Sequence, residues 1–309
     1  MRNEVALRRA LEILNMEPAD LHAALQTASG GDTATSRSTV TRWLNGSSPV
    51  PAALKLWLRD RLIARARRTP RIALHRCIVV GVLTDKVGAG ALSIAFLLAA
   101  FCQLEGINAR YVTLRPDEEL VFFGSLAKSR KLSQIVCELD RSKLPRISEL
   151  LDSPGIIFVG AQEAIRNEEK LFASNSIVHS SDYIIVPSSL YSSDINGNKK
   201  ILGILREHKI RHRLLFISRD VPSIESVRNA CANLSEDKCF RVFDSIVNLT
   251  TISFDSLIKA KEWELPEVFW KILQQVFDDL AIQTDVRSDF SAQLSFEEVV
   301  QKIDRENIP

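Results

Sequence analysis

Short apolar runs without polar alternation constrain the fold of this chain more than any other feature. Three of them are "GIIFVG" at 155–160, "DYIIVP" at 182–187 and "RLLFIS" at 213–218. A strand of this kind is buried on both faces, which is typical of a parallel sheet covered by helices on each side. The runs therefore predict an α/β fold built on a doubly wound, mainly parallel sheet.

Further apolar runs alternate with amphipathic segments from residue 77 onward. Strands are predicted at 77–84, 109–114, 133–139, 155–160, 182–187, 213–218 and 241–247. Helices are predicted at 91–105, 118–130, 142–151, 161–174, 192–209, 222–234, 254–261 and 266–281. Because ligands on such sheets bind where strands end, the loops after the strands are the first places to seek a site.

The charge distribution separates the first 76 residues from the rest of the chain. They hold 13 Lys or Arg and 6 Asp or Glu, a balance of +7, whereas the remaining residues hold 27 and 32, a balance of −5. A basic head favours a polyanionic partner, and a solvated helix surface is the alternative.

Composition favours a cytoplasmic protein without a membrane partner. The five cysteines are dispersed along the chain, which suits a reducing compartment. The apolar run at 89–102 is too short to span a bilayer and fits a buried helix. The five histidines show no zinc spacing, so no metal site is predicted.

The basic head is predicted to contain four helices. Their ranges are 4–14, 18–27, 36–45 and 52–67. In the third helix, Ser36 or Ser38 is the expected cap and Gly46 the end, and Val40, Trp43 and Leu44 face the core. The fourth helix is expected to pack through Leu54, Leu56, Trp57, Leu58 and Leu62.

The outward face of the third helix carries the candidate DNA-binding residues. They are Arg37, Ser38, Thr39, Thr41, Arg42 and Asn45. The segment "SRSTVTRWLNGSSPVPAALKLWL" resembles the lambda-repressor/Cro type of helix-turn-helix, which implies that this helix enters the major groove. The connection "TASGGDTATS" is longer than the family's turn of about four residues. A plain helical bundle is the alternative, and a two-fold DNA site would require a dimer.

The segment "RDRLIARARRTPRIALHR" at 59–76 holds seven arginines and leads into Thr69-Pro70. This pattern predicts the end of a helix followed by a hinge. The arginines either contact phosphates or decorate an exposed linker, and the sequence does not separate these interpretations.

The stretch "CIVVGVLTDKVGAGALSIAFLLAAF" at 77–101 is a strand, a glycine-bearing loop and an apolar helix. It resembles the opening segment of the ParA/MinD branch of P-loop ATPases, in which a Lys-Gly-Gly-x-Gly-Lys-Ser/Thr loop holds the nucleotide. The resemblance places Lys86 on the signature lysine that reaches across a dimer, and Gly88 and Gly90 on the second and third glycines. Ala91 stands in place of the phosphate-binding lysine, and Leu92 in place of the hydroxyl that binds Mg²⁺.

Later segments also depart from the ParA/MinD pattern. Thr113 and Arg115 fall on two aspartates of the family, and Gly160 falls near the Walker-B aspartate. A magnesium triphosphate needs positive charge at the β- and γ-phosphates and oxygen ligands on the metal. Because this sequence lacks both the phosphate-binding cation and the metal-binding oxygens, it predicts no ATP hydrolysis, no catalytic residue and no cofactor. Weak ATP binding through Lys86, Gly88 and Gly90 is the alternative.

A second basic cluster follows in the predicted helix at 192–209 and the strand after it. It comprises Lys199, Lys200, Arg206, Lys209, Arg211 and Arg213. The ParA/MinD resemblance makes a second DNA-contacting face conceivable, and a solvated helix end is the simpler interpretation.

The sequence thus predicts a helix-turn-helix domain at 1–68, a linker at 69–76, a ParA-like α/β domain at 77–285 and an acidic tail at 286–309. The expected function is a double-stranded-DNA-binding regulator or segregation factor of a bacterial plasmid or mobile element. It would form a homodimer, associate with nucleoid or plasmid, and dock a partition or transfer partner. An active partition ATPase and a module that binds protein or RNA are the alternatives.

Overall fold

The computed structural model describes two compact units. The described residues are 2–14, 16–28, 35–68, 71–72, 74–84, 90–113, 136–162, 176–218, 223–235, 241–249, 267–285, 289–291 and 293–306. The first unit combines both ends of the chain, Met1–Ile72 and Thr284–Pro309, and the second contains Ala73–Lys259 and Pro266–Gln283.

The helices are α1 (Asn3–Ile13), α2 (Pro18–Ala28), α3 (Arg37–Leu44), α4 (Ala52–Arg68), α5 (Ala91–Leu104), α6 (Ile177–Ser180), α7 (Ser192–Glu207), α8 (Ile224–Ser235), α9 (Glu267–Asp279) and α10 (Phe296–Arg305). The strands are β1 (Arg71–Ile72), β2 (Ile78–Thr84), β3 (Ala109–Thr113), β4 (Val136–Glu138), β5 (Ile156–Gln162), β6 (Tyr183–Ser189), β7 (His212–Ser218), β8 (Val242–Asn248) and β9 (Thr284–Asp285). A 3₁₀ segment spans Arg141–Leu150.

The first unit is a bundle of α1 to α4 completed by α10. Its core includes Leu7, Leu58, Val299 and Ile303, each with no exposed surface. The antiparallel pair β1–β9 also belongs to this unit. The chain's two ends therefore build one core.

Helix α10 differs from the predicted acidic tail at 286–309. Ser295 caps it, because the Ser295 Oγ accepts a hydrogen bond from the Glu298 N–H and the Glu298 carboxylate accepts one from the Ser295 N–H. The acidic residues Glu297 and Glu298 lie in its first turn, where they complement the helix dipole. Its apolar face, which includes Phe296 and Val300, is buried in the bundle.

The four predicted helices of the basic head are present, with ends shifted by at most one residue. Leu54, Leu58 and Leu62 are buried as expected. The prediction for Leu56 is wrong, because its side chain is 55% exposed. Trp57 packs only partly, on the edge of the core.

The second unit contains a seven-stranded sheet in the order β4-β3-β5-β2-β6-β7-β8. All its neighbouring strands are parallel. Since β2 lies next to β5 on one side and β6 on the other, the chain winds outward from β2 in both directions. The predicted α/β class, a doubly wound and mainly parallel sheet, is confirmed.

Helices cover both faces of this sheet. Helix α5 packs on β2, β3 and β5, and its Phe101 ring lies 5.3 Å from the Phe269 ring of α9. On the opposite face, a separate apolar cluster joins α7 to the 3₁₀ segment and includes Leu144, Ile177 and Leu202. Burial from both sides explains why the strand sequences lack alternation.

Four predicted helices differ from the structure or lie partly or wholly outside the described residues. The segment predicted at 142–151 is 3₁₀ because Pro145 lies inside it and Arg146 has non-helical dihedral angles. The first two residues of the helix predicted at 161–174 belong to β5, which continues to Gln162, and the remaining residues lie outside the described ones. The helices predicted at 118–130 and 254–261 fall outside the described residues.

No helix in the described part of the chain is long and apolar enough to cross a bilayer.

The shared core predicts that Ile303→Ala destabilises the amino-terminal helices as well as α10. Deleting a fully buried isoleucine side chain should cost about 2–4 kcal/mol. Hydrogen exchange of the full chain, resolved by peptide, should show faster exchange in α1 and α4 and unchanged exchange in α5.

Leu56→Ala is the matched control, since Leu56 belongs to the same unit and is 55% exposed. It should change exchange free energies by no more than about 0.5 kcal/mol. Faster exchange confined to α10 in Ile303→Ala would contradict the shared core.

Candidate nucleic-acid interface and strand–helix junction

Of the two serines predicted as possible caps of α3, Ser36 is the cap in the structure. Ser36 has extended dihedral angles, and its Oγ accepts a hydrogen bond from the Thr39 N–H at 3.2 Å. Gly46 follows the helix with a φ of 74°, a left-handed conformation that glycine adopts without strain. The helix is therefore short and has defined ends.

The inner face of α3 is anchored by two apolar side chains. Val40 is 1% exposed and Trp43 is 8% exposed, and both join the core of the first unit. Leu44 packs partly against the same core. Because these positions fix the rotation of the helix about its axis, the remaining positions must face away from the core.

The outer face of α3 presents a polar and basic surface. Arg37, Ser38, Thr41 and Arg42 are exposed. Thr39 is half-buried, with its hydroxyl 3.0 Å from the Ser36 Oγ, so it faces outward less than predicted. No described carboxylate pairs with either arginine of this face. The surface thus offers two cations and several hydroxyls on one short helix.

Arg8 is a residue that the sequence analysis missed. Its Nε donates a hydrogen bond to the Leu44 carbonyl at 2.9 Å, and its Nη2 donates to the Asn45 Oδ1 at 3.4 Å. It therefore caps the carboxyl end of α3 and orients Asn45. The only signal in the sequence is a basic residue on the exposed face of α1.

The connection between α2 and α3 is long, as expected, since α2 ends at Ala28 and α3 begins at Arg37. Most of the intervening loop lies outside the described residues. Pro18 opens α2, as predicted.

Several arginines in the segment 59–76 are used for packing, which neither interpretation of that segment predicted. The Arg61 guanidinium lies 4.0 Å from the centre of the Trp57 ring, and burial lowers its pKa. Arg65 is 5% exposed. The Arg67 Nε donates a hydrogen bond to the Phe290 carbonyl at 2.9 Å. Arg61 and Arg67 therefore make contacts within the first unit, and Arg65 is buried there.

At the junction between β2 and α5, Gly90 adopts a left-handed conformation with a φ of 81° and precedes the first helical residue, the buried Ala91. A Cβ built at Gly90 would lie 3.2 Å from the Ile217 Cδ1 and 3.3 Å from the Leu249 Cδ1. Apolar side chains therefore border the position. Lys86 and Gly88 lie outside the described residues.

A close apolar contact joins α5 to β5 beside this junction. A Cβ built at Gly160 would lie 2.9 Å from the Leu92 Cδ2, 3.0 Å from the Leu92 Cα and 3.3 Å from the Ala95 Cβ. Only glycine at position 160 lets the helix approach this closely. Leu92 thus packs on Gly160, where the resemblance would place a hydroxyl and a carboxylate around Mg²⁺.

The described positions of the predicted nucleotide site supply no side-chain cation and no metal ligand. Gly90, Ala91, Leu92 and Gly160 have no polar side-chain atom. Arg115 and the side chain of Thr113 lie outside what the structure describes. At these four positions, only backbone amides are available to an anion.

Comparison with known proteins identifies similar solved structures only. No protein-family model matches this sequence, and no curated protein matches it. An ATP complex of McdA from Cyanothece shares 14% identity over 67% of this chain and 98% of its own, with a TM-score of 0.47. A plasmid partition protein from Borrelia burgdorferi shares 10% identity over 66% of this chain and 99% of its own, with a TM-score of 0.42.

The MinD cell division protein of Aquifex aeolicus shares 14% identity over 75% of this chain and 98% of its own, with a TM-score of 0.41. At these identities and scores, the likeness carries no conclusion about ligand or activity. The fold class rests on the strand order of the second unit.

The α5–β5 contact predicts that Gly160→Ala destabilises the second unit. The new methyl group would clash with the Leu92 backbone, and the cost should be about 1–3 kcal/mol. Two measurements on the full chain test this cost: the free energy of unfolding from chemical denaturation, and the hydrogen exchange of the β5 amides.

Gly203→Ala is the matched control, because a Cβ built at Gly203 on α7 meets nothing within 4 Å. The same substitution should be neutral or should stabilise by about 0.5–1 kcal/mol. Equal effects of the two substitutions would refute the close approach of Leu92 to Gly160.

Proposed function

We propose that this chain is a double-stranded-DNA-binding protein that uses α3 as its recognition helix. The observation that carries the proposal is the division of α3 into a buried side, Val40 and Trp43, and an exposed side with Arg37 and Arg42. Arginine pairs with guanine edges or with phosphates. Hydroxyl side chains form hydrogen bonds with base edges and with phosphates. A capped helix of eight residues is long enough to present these groups to one groove.

Arg8 supports the same proposal from a neighbouring helix. Since it is exposed and hydrogen-bonded to the last turn of α3, it adds a third cation beside Asn45. Cations on two elements can contact phosphates on the edges of a groove while α3 lies within it. One such module buries little surface, so tight and specific binding would require two copies on a two-fold site.

We further propose that the second unit lacks ATP hydrolysis and serves dimerisation or partner docking. The Leu92–Gly160 contact supports this, because it puts hydrocarbon where a Mg²⁺ site would need oxygen ligands. The assignment to a regulator or a segregation factor of a bacterial plasmid or mobile element rests on the sequence resemblance. Association with nucleoid or plasmid DNA would follow from DNA binding in the cytoplasm.

An active partition ATPase with an unorthodox site is the second candidate. The left-handed Gly90 at the start of α5 favours it, since this geometry can direct amides at a phosphate. Under that alternative, the missing cation would have to come from residues outside the described set, such as Lys86.

The DNA-binding proposal predicts that Arg37→Ala combined with Arg42→Ala weakens duplex binding by at least about tenfold. The logarithmic dependence of affinity on salt concentration should also become shallower by about one to two units, because fewer counterions are released. Fluorescence anisotropy with a labelled duplex, at several salt concentrations, measures both quantities.

Arg305→Ala is the control for charge alone, because Arg305 is exposed on α10 of the same unit. The duplex affinity of this variant should stay within about twofold of that of the unmodified chain. Equal binding by the double variant and the control would favour a module that binds protein or RNA.

The proposal that the second unit lacks ATP hydrolysis predicts no phosphate release by the full chain with Mg²⁺ and ATP, and the same duplex affinity with and without the nucleotide. A malachite-green assay and gel shifts test this. Turnover that disappears in Lys86→Ala would support the partition ATPase instead.

A further inference from the structure

A basic pocket lies at the amino-terminal edge of the sheet, where β7 and β8 begin. Its walls include Arg206, Lys209, Arg211, His212, Arg241 and Asp279. The cavity volume is about 400 Å³, within the range of about 300–1,000 Å³ that small-molecule sites occupy. Because the strands are parallel, the Gly90 junction after β2 lies at the opposite, carboxyl-terminal edge. The two places are therefore distinct.

Asp279 is the only carboxylate among the described residues of the pocket wall, and an arginine behind it already holds it. Arg213 binds it through two hydrogen bonds, from Nε at 2.7 Å and Nη2 at 3.0 Å, and the Tyr183 hydroxyl donates a third at 2.7 Å. Burial raises the pKa of Asp279, but the hydrogen bonds from Arg213 and Tyr183 outweigh this and lower it overall. Asp279 is thus ionised at neutral pH, and Arg213 neutralises its charge.

Arg241 is oriented by the same carboxylate yet remains accessible. Its Nη1 donates to the Asp279 Oδ1 at 3.0 Å, while its side chain is 71% exposed. A guanidinium has five N–H donors in a planar fork, so this contact leaves donors for a second anion. The hydrogen bond from Arg241 to Asp279 therefore orients the Arg241 guanidinium.

The turn after α7 places Lys209 at a defined position in the wall. Lys209 has a φ of 58°, and the N–H of Ile210 donates to the Leu205 carbonyl at 2.8 Å, which closes the helix end. Lys209 and Arg211 are exposed, and no described carboxylate forms a salt bridge with either. His212 is half-buried with its Nδ1 2.6 Å from the Ile210 carbonyl, and burial lowers its pKa.

We propose that this pocket binds a small anion that carries a phosphoryl group. Lys209, Arg211 and Arg241 line the wall beside a carboxylate whose charge Arg213 already offsets. A monocarboxylate would satisfy little of this charge, whereas a phosphoryl group brings close to two negative charges and three acceptor oxygens. Planar guanidinium groups pair with such oxygens in a bidentate manner.

The geometry also changes the interpretation of the basic cluster at 199–213. Arg213 belongs to β7 and pairs with Asp279 of α9, so it is not part of a solvated helix end. Arg241 joins the cluster from a distant part of the sequence. The pocket is independent of the DNA-binding proposal, because it uses no residue of the first unit.

Isothermal titration of the full chain with pyrophosphate, without Mg²⁺ and at fixed ionic strength, tests the site. One saturable site per chain is expected. The triple variant Lys209→Gly, Arg211→Gln, Arg241→Gln should lose at least about tenfold in affinity. Lys209→Gly alone should lose less and should keep the fold, since glycine accepts the positive φ.

Lys143→Gln is the matched control, since Lys143 is exposed on the 3₁₀ segment that follows β4 at the far edge of the sheet. It should bind pyrophosphate within about twofold of the unmodified chain. Acetate at the same concentration should not compete. The α3 double variant should bind pyrophosphate normally, which separates this site from DNA binding.

Absence of pyrophosphate binding, or equal affinity in the triple variant and the Lys143→Gln control, would overturn the proposal. It would also be overturned if the triple substitution reduced duplex affinity while pyrophosphate and inorganic phosphate did not bind. That result would assign the basic groups to a nucleic-acid backbone.

Discussion

The burial of Val40 and Trp43 is the constraint on which the functional account of the first unit depends. Two apolar anchors three residues apart lie on one side of a helix, so they fix its rotation. The Ser36 cap fixes where the helix starts, and the Arg8 hydrogen bond to Leu44 fixes where it ends. Three independent interactions therefore hold the exposed arginines in one direction.

In the second unit, apolar contacts lie at the predicted nucleotide site itself, whereas in the first unit they lie behind the candidate interface. Leu92 on Gly160 closes α5 onto β5, and Ile217 and Leu249 approach Gly90. These contacts stabilise the sheet through close packing, and Leu92 and Gly160 stand where the family resemblance would place oxygen ligands of Mg²⁺. A cluster of lysine and arginine side chains of this unit lies instead at the amino-terminal edge, in the pocket around Asp279.

Much of the fold was predictable because burial on both faces leaves a strong pattern in the sequence. The strands β5, β6 and β7 match the predicted runs to within two residues. The hydrophobic pattern did not predict contacts between segments that are distant in sequence. Helix α10 packs with helices almost 300 positions earlier, although its capping serine and apolar spacing were visible in "SFEEVVQKI". The pairing of Asp279 with Arg213 and Arg241 left no local signal.

The candidate interface was predictable for a different reason. An eight-residue helix with a cap, two anchors and a glycine stop determines its own exposed face from local rules. Arg8 was not predictable, because its role depends on how α1 packs against α3.

Selection of duplexes from a randomised library by the full chain, without nucleotide, tests the central claim most directly. The account predicts enrichment of an inverted repeat whose half-sites are one helical turn apart, about 10 base pairs. Recovered sequences should be unchanged when Mg²⁺ and ATP are added. No enrichment over the starting library, or enrichment that occurs only with ATP, would contradict the account.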